Sequence, residues 1–302
     1  MKYLYNGLIY EAKEVSPALL SWFGDSKVVD EEGKPKQVYH GTTHDFDTFK
    51  KSKFVNFIFG GIYFTDSPSD AEKNYASGDG GDARARIRNN YKELVNMNPK
   101  KLEKLLGITF TKPPRKSFGG GYHYDLVDDM KISDYAKSQV VGENPAPNIM
   151  PVYLKIENPF YIDRDSPKYK LKTNPDAPHN TLNIINDQSE GYILLAALAQ
   201  ICNKYKIDWR DLLIKISYGG EFNETSFFTE IVRYEPLAKI LNTKPFFVEV
   251  LKLAGYDGVI MDPQLYFFGN YSGVRHYIIF NSNQAKSVFN QNPTKKASIT
   301  KE

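Results

Sequence analysis

One cysteine, Cys202, stands in a chain of 302 residues. A disulfide framework within the chain is therefore excluded, and the Cys/His spacing of a zinc site is missing. His44, His123 and His179 have no metal-ligand spacing either. Neither sign of charge is in excess. The 39 Lys and Arg against 36 Asp and Glu leave +3, which gives no general drive toward nucleic acid or an anionic membrane. No apolar run is long enough to span a bilayer. Met1-Lys2-Tyr3-Leu4-Tyr5-Asn6 lacks the apolar stretch and small-residue cleavage site of a secretory signal. No Gly-x-Gly-x-x-Gly run occurs, and Gly119-Gly120-Gly121 has no strand-and-helix context of a phosphate loop. These absences point to a soluble, cytoplasmic protein.

Apolar and aromatic residues are plentiful, at 41% and 14%, enough for one large domain or two modest ones. Residues 1–36 read as a lead-in. Leu19, Leu20, Trp22 and Phe23 make an apolar patch there, and Asp30-Glu31-Glu32-Gly33-Lys34-Pro35 is a turn. The domain proper is expected over 37–291. Val38-Tyr39-His40 opens its first strand, Ile62-Tyr63-Phe64-Thr65 is the next, and Pro68 through Ala76 is helix-like. Residues 78–148 read as an insertion, with a flexible Ser77–Asp82 stretch, a charged segment holding Arg84, Arg86 and Arg88, and a short amphipathic helix through Leu102, Leu105 and Leu106. A second, mostly helical insertion covers 164–250. Gly255 caps the Phe246–Leu253 helix. Met150–Ile156, Gly258–Met261 and Tyr277–Phe280 read as strands. The polar tail, 292–302, is expected to be disordered. Strands and helices interspersed this irregularly favour the α+β class. Cys202, inside an apolar helical run, reads as a buried apolar residue.

A few residues could carry chemistry. His40 alone reads as a core histidine bonded to main chain. Gly41 and Thr42 follow it at a strand end, where Gly lets a ligand approach and its N–H and C=O can pair with a planar amide. Tyr63 and Tyr75 are either core aromatics or a clamp on a flat ring. Alternation puts His276, Ile278 and Phe280 on one face of a strand whose start can reach a cleft. Gln284, after the turn Asn281-Ser282-Asn283, is a cap or a site residue. The Arg84/Arg86/Arg88 run is a solvated face or a contact for pyrophosphate or a target. Together these parts suit a heteroaromatic ring bearing a carboxamide, which points to NAD.

Tyr39-His40-Gly41-Thr42, Tyr63-Phe64-Thr65 with Ala71 and Tyr75-Ala76, and Tyr277–Phe280 with Gln284–Ser287 resemble an ADP-ribosyltransferase core of the His-Tyr-Glu class. That class holds diphtheria toxin and the poly(ADP-ribose) polymerases. The resemblance is closer to ADP-ribosyltransferase domains of phage and mobile-element polyproteins. It extends to Tyr153-Leu154, Asn158-Pro159, Asp163, Gly255-Tyr256-Asp257-Gly258 and the lead-in Trp22–Val29. It implies a split β-sandwich, two antiparallel sheets around an NAD cleft, with the two insertions uncovered. It implies mono-ADP-ribosyl transfer from NAD to a macromolecule, a protein more than a nucleic acid, without metal or membrane. The setting implied is a host cytoplasm, with phage delivery as one route. Residue by residue, it gives His40 a ribose, the Gly41 main chain the carboxamide, and Tyr63 and Tyr75 the two faces of nicotinamide. Thr42 and Thr65 join the cofactor-binding set, and His40, Tyr63, His276 and Gln284 form the catalytic set.

His276 departs from the pattern, which has a glutamate there. The glutamate holds the ribose 2′-hydroxyl and offsets the developing positive charge. A neutral His can hydrogen-bond but brings no anion. Asp257 or Asp262 could substitute, Gln284 could position the ribose, or the fold could be a nucleotide-binding module that no longer transfers. Extension to poly(ADP-ribose) is not expected without the glutamate.

Overall fold

β-Branched and aromatic residues set the strands, because they fit a pleated, buried surface. In chain order the strands are β1 (Lys2–Tyr5), β2 (Leu8–Glu11), β3 (Val38–Thr42), β4 (Ile62–Thr65), β5 (Arg115–Lys116), β6 (Tyr122–His123), β7 (Asn148–Leu154), β8 (Pro159–Ile162), β9 (Leu171–Lys172), β10 (Glu221–Phe222), β11 (Gly258–Met261), β12 (His276–Ile279) and β13 (Ala285–Ser287). The helices are α1 (Pro17–Phe23), α2 (Pro68–Asp70), which runs into a π-helical turn (Ala71–Ala76), α3 (Gly81–Asn96), α4 (Pro99–Leu106), α5 (Leu126–Val141), α6 (Ser189–Lys204), α7 (Trp209–Ile216), α8 (Ala238–Leu241) and α9 (Phe246–Leu253). This computed structural model describes residues 2–5, 8–11, 15–43, 46, 48–49, 61–77, 80–116, 121–141, 148–162, 171–172, 189–216, 221–222, 231, 234–241, 244–261, 273–294 and 296.

Two compact units result. The first takes Met1–His40, Phe46–Ser67 and Pro151–Glu302, and the second takes Gly41–Asp45 and Pro68–Met150. Seven strands share one sheet in the order β13-β7-β3-β4-β12-β11-β8. β12 pairs antiparallel with β4 and β11, whereas β8 runs parallel to β11. The α+β class is as expected. The expected pair of antiparallel sheets gives way to one mixed sheet, in which β3 and β4 meet at Tyr39↔Thr65. The reason lies in residues 164–250. Parallel neighbours need a long crossover, and the segment read as an insertion is the crossover from β8 to β11.

Within the first unit, register puts Tyr63, Thr65, His276, Ile278, Val259 and Met261 on one sheet face. Helices α6, α7 and α9 supply Leu194, Leu198, Leu212, Phe247 and Leu251 to the core that includes Tyr63, Val259 and Ile278. Each such side chain contributes about 1.5–3 kcal/mol on full burial. The lead-in is stitched to the same unit. Leu19 and Phe23 of α1 pack with Tyr153 and Val288. Ser16 Oγ accepts from the Leu19 N–H and donates to the Gln291 carbonyl. Buried Ser26 donates to Leu154 O at 2.7 Å and accepts from Ile156 N–H at 3.0 Å. The start of the tail is also held, since the Lys286 ammonium, fully buried on β13, donates to Lys296 O at 2.7 Å.

In the second unit, α3, α4 and α5 close over Leu94, Leu102, Ile132 and Ala136. Tyr91 donates to Asp129 at 2.5 Å, tying α3 to α5. Asp128, wholly buried, accepts from both the N–H and Oγ1 of Thr111 at 2.7 Å. The stretch expected to be flexible holds a helix start instead. Gly80 is the N-cap of α3, and Gly78 and Asp79 lie outside the described residues.

Candidate active site

In the first unit His40 ends in a fixed protonation pattern. Its Nδ1 lies 2.8 Å from the main-chain oxygen of Tyr63. A carbonyl only accepts, so Nδ1 carries the proton and Nε2 is the acceptor nitrogen. The ring is held edge-on by Phe49 at 4.9 Å, with Phe64 at 5.4 Å and Phe46 at 6.0 Å between centroids. The result is a half-buried, oriented histidine.

His276 stands directly opposite Thr65 on β4 and Met261 on β11. It is 3% exposed, so a side chain expected at a cleft edge is enclosed in the sheet. Thr65 Oγ1 accepts from Ser67 N–H at 3.3 Å and is equally enclosed. Tyr63 joins the apolar core beneath the helices, which fits the ordinary reading of that tyrosine as well as the functional one. His40, Tyr63, Thr65 and His276 are all in this unit.

Gln284 does a different job from the catalytic one expected. Its Oε1 accepts from the N–H groups of Phe280 (3.1 Å) and Asn281 (2.9 Å). Its Nε2 donates to Lys155 O and Asp257 O, each at 2.9 Å. A carboxamide has two donors and two main acceptor positions, and the fold uses them all. Gln284 is a cap and clamp, with nothing left for a ribose. Asp257 is likewise committed, since its carboxylate accepts from Glu157 N–H at 2.8 Å and Asn158 N–H at 2.9 Å. Asn158 Nδ2 returns a bond to Gly255 O, and Gly255 takes φ +93°. The Asn158-Pro159, Gly255–Gly258 and Phe280–Gln284 motifs therefore form one knot where β7, β8, β11 and β12 turn. Asp262, the other carboxylate considered, and Asp163 lie outside the described residues.

The second unit holds Gly41, Thr42 and Tyr75. Gly41 was expected to make room for a ligand. A Cβ there would run into the Ala71 carbonyl and come within 2.8 Å of Tyr75 Cβ. The helix fills that space, so Gly41 is needed for the strand end to lie against the π-helical turn. Gly80 has the same constraint from the other side, where a Cβ would stand 2.7 Å from Tyr75 O. Tyr75 is thus gripped by two glycines on a widened turn, closed by a Ser77 N–H bond to Glu72 O. Such π turns often mark functional positions. Thr42 is buried. Thr43, which the sequence did not single out, accepts from Arg86 Nη1 at 3.0 Å.

Cys202 is buried, and burial pushes its thiol up to about 12, the behaviour of an apolar core residue rather than a nucleophile. Among the described residues no helix is long and apolar enough to cross a membrane, and no group of His, Cys, Asp and Glu could hold a metal. No curated protein and no solved structure matches the chain. A family model does, that of the ADP-ribosyltransferase in polyvalent proteins, over residues 30–105 and 109–295. That span takes in His40, the Tyr75 turn, the Asp257–Gln284 knot and both long helical segments, and the chain belongs to this ADP-ribosyltransferase family.

Proposed function

We propose that this ADP-ribosyltransferase moves single ADP-ribosyl units from NAD to a macromolecular acceptor, a protein side chain in preference to nucleic acid, and releases nicotinamide. The observation that carries the reading is the His40–Tyr63 bond at 2.8 Å, which orients the imidazole in the middle of β3, the strand of the first motif. On this reading NAD lies on the mixed sheet beside His40 and Thr65.

The bond that breaks joins nicotinamide to the ribose C1′. Its electron pair leaves on nicotinamide, and positive charge develops on the sugar. The acceptor's nucleophile then bonds to C1′ and gives its proton to a base or to water. Nε2 of His40 takes a hydrogen bond from a ribose hydroxyl and holds the sugar. His276 replaces the glutamate of the wider class. An imidazole can hydrogen-bond the 2′-hydroxyl, but it adds no anion. One well-placed electrostatic group is worth ~10²–10³ in rate. A slow transferase that stops after one unit follows.

The test is release of nicotinamide from labelled NAD in a total bacterial protein extract, for the wild-type chain beside His40→Ala. Release that needs His40, with label fixed on protein, supports the reading. No release by the wild-type chain overturns it.

A further inference from the structure

The +3 of the whole chain is unevenly shared. Residues 100–116 hold six Lys and Arg against one acid, Glu103, which leaves 33 basic and 35 acidic side chains, or −2, in the rest. All six cations are exposed, and all belong to the second unit. Lys112 has Asp125 at 3.5 Å. Lys100, Lys101, Lys104, Arg115 and Lys116 have no ion-pair partner among the described residues. Glu103 is engaged elsewhere, since its Oε1 accepts from Phe110 N–H at 2.8 Å.

Helix α4 sorts three of these cations onto one side. With 3.6 residues per turn, Lys100, Lys101 and Lys104 fall within an arc of about 100°. Leu102 lies opposite, fully buried, and Leu106 packs on the same core. The Phe110 ring stands 4.8 Å from that of Tyr124, which joins the β5–β6 hairpin to α4. Arg115 is paired with His123 and Lys116 with Tyr122. Successive strand residues point to opposite faces, so at most one of these two cations adds to the lysine side. The fold gains nothing from the three lysines. A first helical turn favours carboxylates, and that of α4 has Lys100 and Lys101 and no acid. Lys100 and Lys104, four apart, repel one another. An anion from outside relieves both. A protein surface suits the site less well. Protein interfaces are depleted in Lys and draw their energy from buried aromatic and apolar anchors, whereas Leu105 is the one large apolar side chain exposed on α4. A phosphate backbone needs only cations in reach. We propose that the lysine side of α4 binds the phosphate backbone of a nucleic acid without reading its sequence. The nucleic acid is then a tether that holds the transferase near its acceptors, and the inference stands apart from NAD binding.

Fluorescence anisotropy on the full chain tests it, with labelled duplex DNA and duplex RNA of arbitrary sequence between about 50 and 200 mM salt. Binding of either supports the inference, and the tighter names the nucleic acid. For DNA the log of the affinity should fall against the log of salt with a slope of about −3, near −0.9 for each lysine engaged. K100E/K101E/K104E should bind about 10- to 100-fold more weakly at the lower salt and lose most of that slope. Its melting temperature should not drop, because two of the new carboxylates enter the first turn of α4. R84E/R88E/K137E makes the same change in net charge at other exposed positions of the unit. Salt screens those positions from the site, so this variant should bind nearly as the wild type does. Equal losses in the two variants overturn the inference, since net charge alone would then explain binding. A wild-type chain that binds neither duplex also overturns it. So does displacement by poly-glutamate as readily as by unlabelled duplex, which would assign the surface to an acidic protein.

Discussion

Asp66 holds Arg275 by both edges of its main chain. Its Oδ1 accepts from Arg275 N–H at 2.9 Å, and its own N–H donates to Arg275 O at 3.1 Å. Oδ2 pairs with Lys36 at 2.9 Å. The carboxylate thus fixes the residue before His276, next to Thr65. Burial pulls the Lys36 ammonium down, but the bond and charge of Asp66, with the Tyr277 hydroxyl, raise it overall. A raised lysine contributes stability that is fully present below its ordinary value of about 10.4 and is lost as pH rises through the folded one. Tyr277, raised chiefly by burial, acts in the same direction. The melting temperature of the wild-type chain should therefore fall above about pH 10.4, and less steeply in Lys36→Met. Asp66→Ala should cost about 1–3 kcal/mol at neutral pH, through the lost pair and the orphaned Arg275 N–H. Chemical denaturation measures it.

Gln284→Ala should destabilise the first unit by about 2–4 kcal/mol, since two N–H groups and two carbonyls lose a partner at once. The folded fraction should keep its rate of nicotinamide release. A normal melting temperature with lost activity would restore Gln284 to the chemistry.

Gly41→Ala forces a methyl group against the Ala71 carbonyl and Tyr75 Cβ. Overpacking of this kind costs about 1–3 kcal/mol. NAD affinity, measured by calorimetry, should fall together with stability, because the Tyr75 turn has to move.

His276→Glu returns the missing anion to the position opposite Thr65. Nicotinamide release should rise on the order of 10²-fold, with the melting temperature followed to separate a buried-charge cost from catalysis. An unchanged rate would mean that position 276 does not face the ribose.

Cys202 should resist alkylation by iodoacetamide at pH 8 in the native chain and react once denatured. Its thiol sits near 12 and out of solvent. Mass spectrometry before and after urea decides it. Rapid native labelling would contradict its place in the core.

Contiguous features were legible in the sequence. The strands around His40, Tyr63 and His276, the buried Gly258–Met261 strand, the Gly255 cap and the nature of Cys202 each follow from a short run of residues. What was not legible depends on distant partners. Gln284 looked available because its residue type says how many bonds it makes and not with whom. Lys155, one of its partners, is 129 positions away. Gly41 looked like room for a ligand, because the helix that fills the space comes thirty residues later. The sheet's mixed character was hidden for the same reason. Strand direction in β8 and β11 is set by the long helical crossover between them, not by either strand's own pattern. Thr43 carried no signal at all until Arg86 met it.

Homology and folding draw different borders around this domain. The family match begins at residue 30. Ser26 nevertheless saturates the end of β7, and Leu19 and Phe23 roof Tyr153 and Val288. A chain trimmed to the matched span would leave an N–H and a carbonyl bare at the end of β7 and a wet apolar patch around Tyr153 and Val288. The inherited part of the sequence is smaller than the part that must be made together, and expression of the domain should start ahead of Ser16.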